Sequence, residues 1–167
     1  MLAEDPTTSI AAIAAEAGVD RRTVYRRFTS REELLAAVYQ ARLDAIEAAI
    51  EAARFQDAPV PEALDRYVRG IVKVNRTWPT EVSRMRSDPE IWARRMRAVE
   101  EVDRFLKRAT DEGFLRVELP ASWPGSVLGA LVGLSTKDLL RQTDVQAANI
   151  IIGTFMRAVG SGRSWQS

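Results

Sequence analysis

Residues 9–35, SIAAIAAEAGVDRRTVYRRFTSREELL, constrain the fold more than any other stretch of the chain. Ile10, Ile13, Ala14 and Ala17 fall at i, i+3, i+4 and i+7, which is one apolar stripe of an α-helix, and Thr8 or Ser9 offers an oxygen cap ahead of it. Gly18 stands where the chain leaves that helix and needs positive φ, so Val19 folds back onto the turn just left. Asp20 then caps a second helix. In it Val24 and Phe28 share one face, while Arg21, Arg22, Thr23, Tyr25, Arg26 and Arg27 take the remaining angles.

The charge of this segment is local. The whole chain carries a formal net charge of +1, yet between residues 20 and 31 the arginines 21, 22, 26, 27 and 31 face one acid, Asp20. A helix of about 10–12 Å diameter fits the major groove of DNA. Arginine brings a planar fork that pairs with guanine edges or phosphate oxygens. Two short helices around a glycine turn, the second rich in arginine, therefore predict a helix-turn-helix DNA reader. The competing reading is a solvated face whose arginines pair with Glu32 and Glu33.

The run GVDRRTVYRRFTSREELL resembles the helix-turn-helix signature of the TetR family of bacterial one-component transcriptional regulators. That resemblance implies that Arg21, Arg22, Thr23, Tyr25 and Arg26 touch bases or phosphates. It also implies that Thr8 or Ser9, and Arg31 at the next helix start, clamp the DNA backbone. Asp20 departs from the family's commoner serine and Thr29 from its commoner proline or glycine. Both keep the local physics, although Asp20 places a negative charge near the DNA. Family members begin with a full helix before the reader, of which Met1–Asp5 resembles only the tail. The expectation is a reader loosened or weakly competent in this chain, since Ile13, Val24, Phe28 and Leu35 would lose part of their apolar cover.

Composition excludes much of enzymology. The chain holds neither cysteine nor histidine, which removes disulfides, thiolate and imidazole metal sites, cysteine nucleophiles and histidine triads. No cofactor is expected. The longest apolar stretch falls short of the roughly 20 residues that span a bilayer, and no signal peptide is visible, so the chain reads as cytoplasmic and free of the membrane. An enzyme using Glu100 and Asp103 as acid and base is a rival reading that the sequence gives no pocket to support.

The remainder reads as helical throughout, giving an all-α chain in which an N-terminal helix-turn-helix is followed by a helical bundle. The boundary is placed between residues 1–40, the DNA-binding domain, and 41–167, the ligand-binding and dimerisation domain. From Ser30 to Arg54 the positions Leu35, Val38, Tyr39, Arg42, Leu43, Ile46 and Ile50 trace a mostly apolar stripe, opened by a Ser30–Glu33 capping box. Asp57–Pro61 is the clearest break and linker. Helices are expected from about Pro61 to Asn75, between Trp78-Pro79 and Asp88-Pro89, from Pro89 to Glu112 closed by Gly113, from Pro120 to Gln142, and from Asp144 to Val159.

The run 127–134 is apolar on every face and calls for a second covering surface. Gly125, Gly129 and Gly133 recur every four residues and would admit a close partner helix, or serve packing inside one subunit. In the family the last two helices form a dimer interface. That assigns Gly125, Leu128, Gly129, Val132, Gly133, Ile151, Ile152, Phe155 and Met156 to a homodimer, which in turn predicts a palindromic operator in double-stranded DNA. The resemblance places an inducer pocket in the middle helices, where Tyr67, Trp78, Met85, Trp92, Met96, Phe105 and Trp123 supply bulky walls or ordinary core. Arg84, Arg86, Arg94, Arg95 and Arg97 thicken the charge there and would suit an anionic ligand. Nearby acids make a solvated surface the simpler reading. The implied function is a ligand-responsive repressor. The alternative is a helical small-molecule binding protein that no longer reads DNA.

Overall fold

A computed structural model describes residues 20–78, 86 and 88–162. Thr8, Ser9, the helix around Ile10–Ala17, the Gly18 turn, Met85 and most of the short helix expected between residues 78 and 89 lie outside the described residues, as does the side chain of Arg21. Among the described residues six α-helices follow one another: α1 (Arg21–Arg27), α2 (Arg31–Ala53), α3 (Val60–Thr77), α4 (Pro89–Asp111), α5 (Trp123–Gly133) and α6 (Asp144–Val159). Among the described residues the extended pairing is one isolated bridge, Leu115 with Gly160.

Local chemistry accounts for the helix ends. Asp20 accepts from the Arg22 amide at 2.6 Å and starts α1. Ser30 caps the Glu33 amide at 3.1 Å. The Glu33 carboxylate, expected to complete a box with Ser30, reaches one residue further back and takes the amide and hydroxyl of Thr29 at 2.6 and 2.7 Å. Asp88 accepts from two amides at the start of α4, where Pro89 needs no donor. Gly113, at φ 79°, turns the chain after α4 and lets Phe114 donate to the Ala109 carbonyl.

The core lies where α2, α3, α4 and α6 meet. Leu43, Leu64, Val68, Val72, Ile151 and Phe155 are essentially fully buried there. The break at 57–61 is a packed turn rather than a free linker. Arg54 closes α2 in the left-handed region, Phe55 is buried with its ring stacked on Phe105 (4.3 Å) and tilted against Tyr67 (5.4 Å), and Arg108 donates to the carbonyls of Gln56 and Ala58. Near the start of α4, Arg94 reaches Asp44 and Glu47 of α2 at 2.5–2.6 Å.

The helix expected over Pro120–Gln142 stops at Gly133, tightens into a single 3-10 turn at Leu134–Thr136, and continues as turns to Gln142. Arg76 of α3 explains how the chain leaves the helix. Its guanidinium donates to the carbonyls of Leu139 and Gln142 and pairs with Asp144 at 2.7 Å, so a long-range cation replaces the helical partners of those oxygens. The turn then hands the chain to α6, which begins with a Thr143–Gln146 capping box.

Candidate DNA-reading helix and helical-domain cavity

Helix α1 presents two chemically distinct sides. Val24 and Phe28 are half-buried, whereas Arg22, Thr23, Tyr25, Arg26 and Arg27 are exposed, Tyr25 at 43 %. Arg31 stands half-buried at the first position of α2, beside the Ser30 cap. Of the sequence-derived reading residues within the described region, Arg22, Thr23, Tyr25 and Arg26 thus lie on a short helix whose apolar edge is turned away from solvent. That is what a helix entering a groove requires, because side chains that must reach base edges cannot also be committed to the core.

The second site is a cavity of about 720 Å³ enclosed by α2, α3, α4 and α5, within the usual range for small-molecule sites. Tyr67 and Trp78, assigned to a pocket from the sequence, line it. The others are placed elsewhere. Phe105 is spent in the stack with Phe55, Trp123 is half exposed at the start of α5, Met96 faces solvent at 36 % exposure, and Trp92 lies under Arg86, whose guanidinium is 5.0 Å from its ring centre. Helical register decides this. On α4 the cavity-facing positions are Arg95, Ala98, Val99, Val102 and Asp103, so bulky residues one step round the helix miss it.

Register also divides the residues that the sequence assigned to an interface. Gly125, Leu128, Gly129, Val132 and Gly133 line this cavity within one subunit, and Leu128 and Val132 are 2 % and 7 % exposed. Gly129 and Gly133 are exposed, and a Cβ on either would meet no atom within 4 Å, whereas a Cβ on Gly125 would collide with the Asp103 carboxylate of α4. Ile151 and Phe155 are 1 % and 0 % exposed and belong to the subunit's own core, as does Ile152. Met156 is half-buried and packs on that core. The apolar surface left over is displaced around the helices, to Trp123, Val127, Ala130 and Leu134 along α5 and to Val145 and Ile150 on α6, all exposed or half-exposed.

The cavity's polar groups were not identified as site residues from the sequence. Arg42 of α2 is 6 % exposed. Its Nη2 donates to Asn75 Oδ1 at 2.7 Å, while Nε and Nη1 are buried without a partner. Asn75 Nδ2 in turn donates to the Val132 carbonyl at 3.2 Å, so a chain of hydrogen bonds ties α2 through α3 to α5. Arg95, expected on a solvated surface, lines the same cavity with its Nε buried and unpartnered. Burial, and then the neighbouring Arg95, push the Arg42 guanidinium below its ordinary value. Burial drives the Tyr67 phenol up to about 12, against the opposing pull of Arg95. Asp103, exposed at the cavity mouth beside Gly125, is raised by partial desolvation. Glu100, its proposed catalytic partner, is exposed and not part of the lining. The signal for Arg42 was present in the sequence, as a cation at an apolar-stripe position of a long helix.

Among the described residues no group of three or more acidic side chains is placed to hold a metal ion, and no helix is long and apolar enough to cross a membrane.

Known proteins share the N-terminal sequence and the fold of this chain. The profile described as bacterial regulatory proteins, tetR family, matches residues 6–38. The HTH-type transcriptional repressor LfrR of Mycolicibacterium smegmatis is 34 % identical over 134 residues, 79 % of this chain and 69 % of the relative. Among solved structures, LfrR in complex with proflavine superposes with a TM-score of 0.70 at 29 % identity, over 90 % of this chain and 85 % of the other. The ketosteroid regulator KstR2 of Mycobacterium tuberculosis, at 17 % identity, shares the fold with a TM-score of 0.74 over 93 % of this chain and 86 % of its own. With an arginine-faced reading helix at one end, a cavity-bearing bundle at the other and a relative matched over most of both lengths, the chain belongs to the TetR family of bacterial regulatory proteins.

Proposed function

We propose that this protein is a transcriptional repressor that grips a palindromic operator as a homodimer and releases it when a small molecule occupies the cavity between α2 and α5. The observation that carries this reading is the continuity of α2. Its first residue, Arg31, adjoins the reading helix and its middle residue, Arg42, lines the cavity, eleven positions away or about 16 Å along the axis. A ligand that favours one tilt of this rigid helix biases the spacing of the two reading helices. It shifts the equilibrium only by its differential affinity for the two arrangements.

In a dimer the outward stripes of α5 and α6 supply the covering surfaces, and the two-fold axis sets the readers one DNA turn apart or a multiple of it. Arg22, Thr23, Tyr25 and Arg26 reach the groove, with Thr8 or Ser9, Arg21 and Arg31 on the backbone.

Selection of bound duplexes by the protein, followed by a salt titration of the winning sequence, tests this. Enrichment of an inverted repeat whose affinity falls linearly in log–log with salt is the expected result, since neutralised phosphates release counterions. Arg22→Ala is expected to cost about 1–3 kcal/mol, with relaxed preference at one base pair in each half-site. Salt-independent, sequence-indifferent association would instead favour a pocket protein without a DNA role.

A further inference from the structure

The charge inside the cavity is of one sign where burial is deepest. Arg42 and Arg95 lie close enough to repel, and neither forms an ion pair with a carboxylate among the described residues, although the other cross-helix arginines of the bundle do so or reach carbonyls: Arg94 with Asp44 and Glu47, Arg76 with Asp144, Arg108 with the 56–58 turn. Among the described residues Asp103 is the one acid in the lining; it is exposed at the mouth, where Lys137 also lies. A guanidinium buried to this degree, holding one neutral amide oxygen, is costly for a fold to keep. Three donors on two arginines are left open: Arg42 Nε and Nη1, and Arg95 Nε.

Around these donors the walls are apolar, with Ile46, Ile71, Val102, Leu128 and Val132 the chief contributors. Gly129 and Gly133 leave the α5 side of the cavity open. Buried donors at one point and hydrocarbon over the rest define an amphipathic complement.

We propose that the effector of this protein is an apolar organic anion, a carboxylate or an acid of similar charge, whose anionic head sits on Arg42 and Arg95 and whose body lies against α3 and α5. Charge-assisted bonds to a planar fork are the strong ones where the donors are buried, and arginine stays charged even when its ordinary value is lowered. The head on Arg42 loads the helix that carries the reader, and through Asn75 it also bears on the Val132 carbonyl. A planar cation such as proflavine, which the LfrR structure contains, would meet the like charges of the buried Arg42 and the half-buried Arg95 here.

The inference rests on the effector reading of the cavity, and a matched pair of probes separates the two. Binding of 2-naphthoate and 2-naphthylmethylammonium, equal in shape and opposite in charge, is measured by calorimetry on the full chain, with proflavine as a third probe. Naphthoate is expected to bind at least about tenfold more tightly than either cation. Arg42→Met, which keeps the stem and removes the charge, is expected to weaken naphthoate about tenfold or more while leaving the melting temperature unchanged or higher. Arg95→Met, less buried, provides the same test if Arg42→Met does not fold. Binding of a cation as tightly as the anion overturns the charge inference and leaves the cavity an effector site. An undiminished naphthoate affinity in both arginine variants overturns the assignment of the head group. Failure of all three probes to bind wild-type protein overturns the inference and counts against the effector reading as well.

Discussion

Single residues set the closest tolerances in this bundle. Gly70 of α3 lies against Ala49 of α2, and a Cβ built on Gly70 would stand 2.9 Å from the Ala49 Cβ. Neither side chain has a flexible end that can give way, so the two helix backbones must part. Gly70→Ala is therefore expected to destabilise the fold by about 1–3 kcal/mol despite its better helix propensity, read as a lowered urea midpoint with an unchanged slope. Arg42 works in the opposite direction. It occupies a core position at a cost in solvation, and the sequence registers it as a break in an apolar stripe. A cation at such a position is a functional signal more specific than the aromatic residues scattered along α4, because apolar bulk is what any core uses, whereas an unpaired buried charge is what cores avoid.

At the scale of the helix, capping chemistry joins the reader to the bundle. The turn between α1 and α2 is held by Ser30 on the Glu33 amide and by Glu33 on Thr29. The Thr29 hydroxyl, followed by its amide, holds the Glu33 carboxyl below its ordinary 4.5. Because the folded-state value is depressed, the contribution of this turn is complete above the ordinary value and is lost as pH falls through the lowered one. Amide exchange at Thr29–Glu33 is expected to accelerate as pH falls below the ordinary carboxylate value in wild type and to be pH-flat, after intrinsic correction, in Glu33→Gln. Register operates at the same scale. A stripe of glycines every fourth residue predicts a close helix partner, and in α5 only Gly125 has one within the subunit, on α4, while Gly129 and Gly133 face open space. Spacing shows which residues share a face but not which way that face turns.

For the whole molecule, the apolar surface left after the core and the cavity are accounted for determines assembly. Trp123 on α5, Leu134 just past its end and Ile150 on α6 are 50 %, 42 % and 45 % exposed. In the proposed dimer they supply apolar surface to the two-fold contact. Ile150→Glu is expected to yield a monomer in sedimentation with unchanged helical circular dichroism, since the side chain contributes little to the subunit's core, and to weaken operator binding by removing the second reader. A dimer that persists in this variant would place the contact elsewhere.

The helix-turn-helix segment, the all-helical composition and the absence of cysteine and histidine chemistry were legible in the sequence, because caps, glycine turns and the 3.6-residue period are local and written within a few residues of where they act. So were the exposed reading positions of α1, which follow from Val24 and Phe28 alone. The early end of α5 was not legible, since the cation that satisfies its following carbonyls, Arg76, comes from another helix. Nor were the cavity and its polar lining, for Arg42, Asn75 and Arg95 belong to three helices and meet only when these pack. Local propensity determined which elements form and what the first of them is built to touch. Packing alone decided which faces look inward, and therefore where the second site lies and what charge it carries.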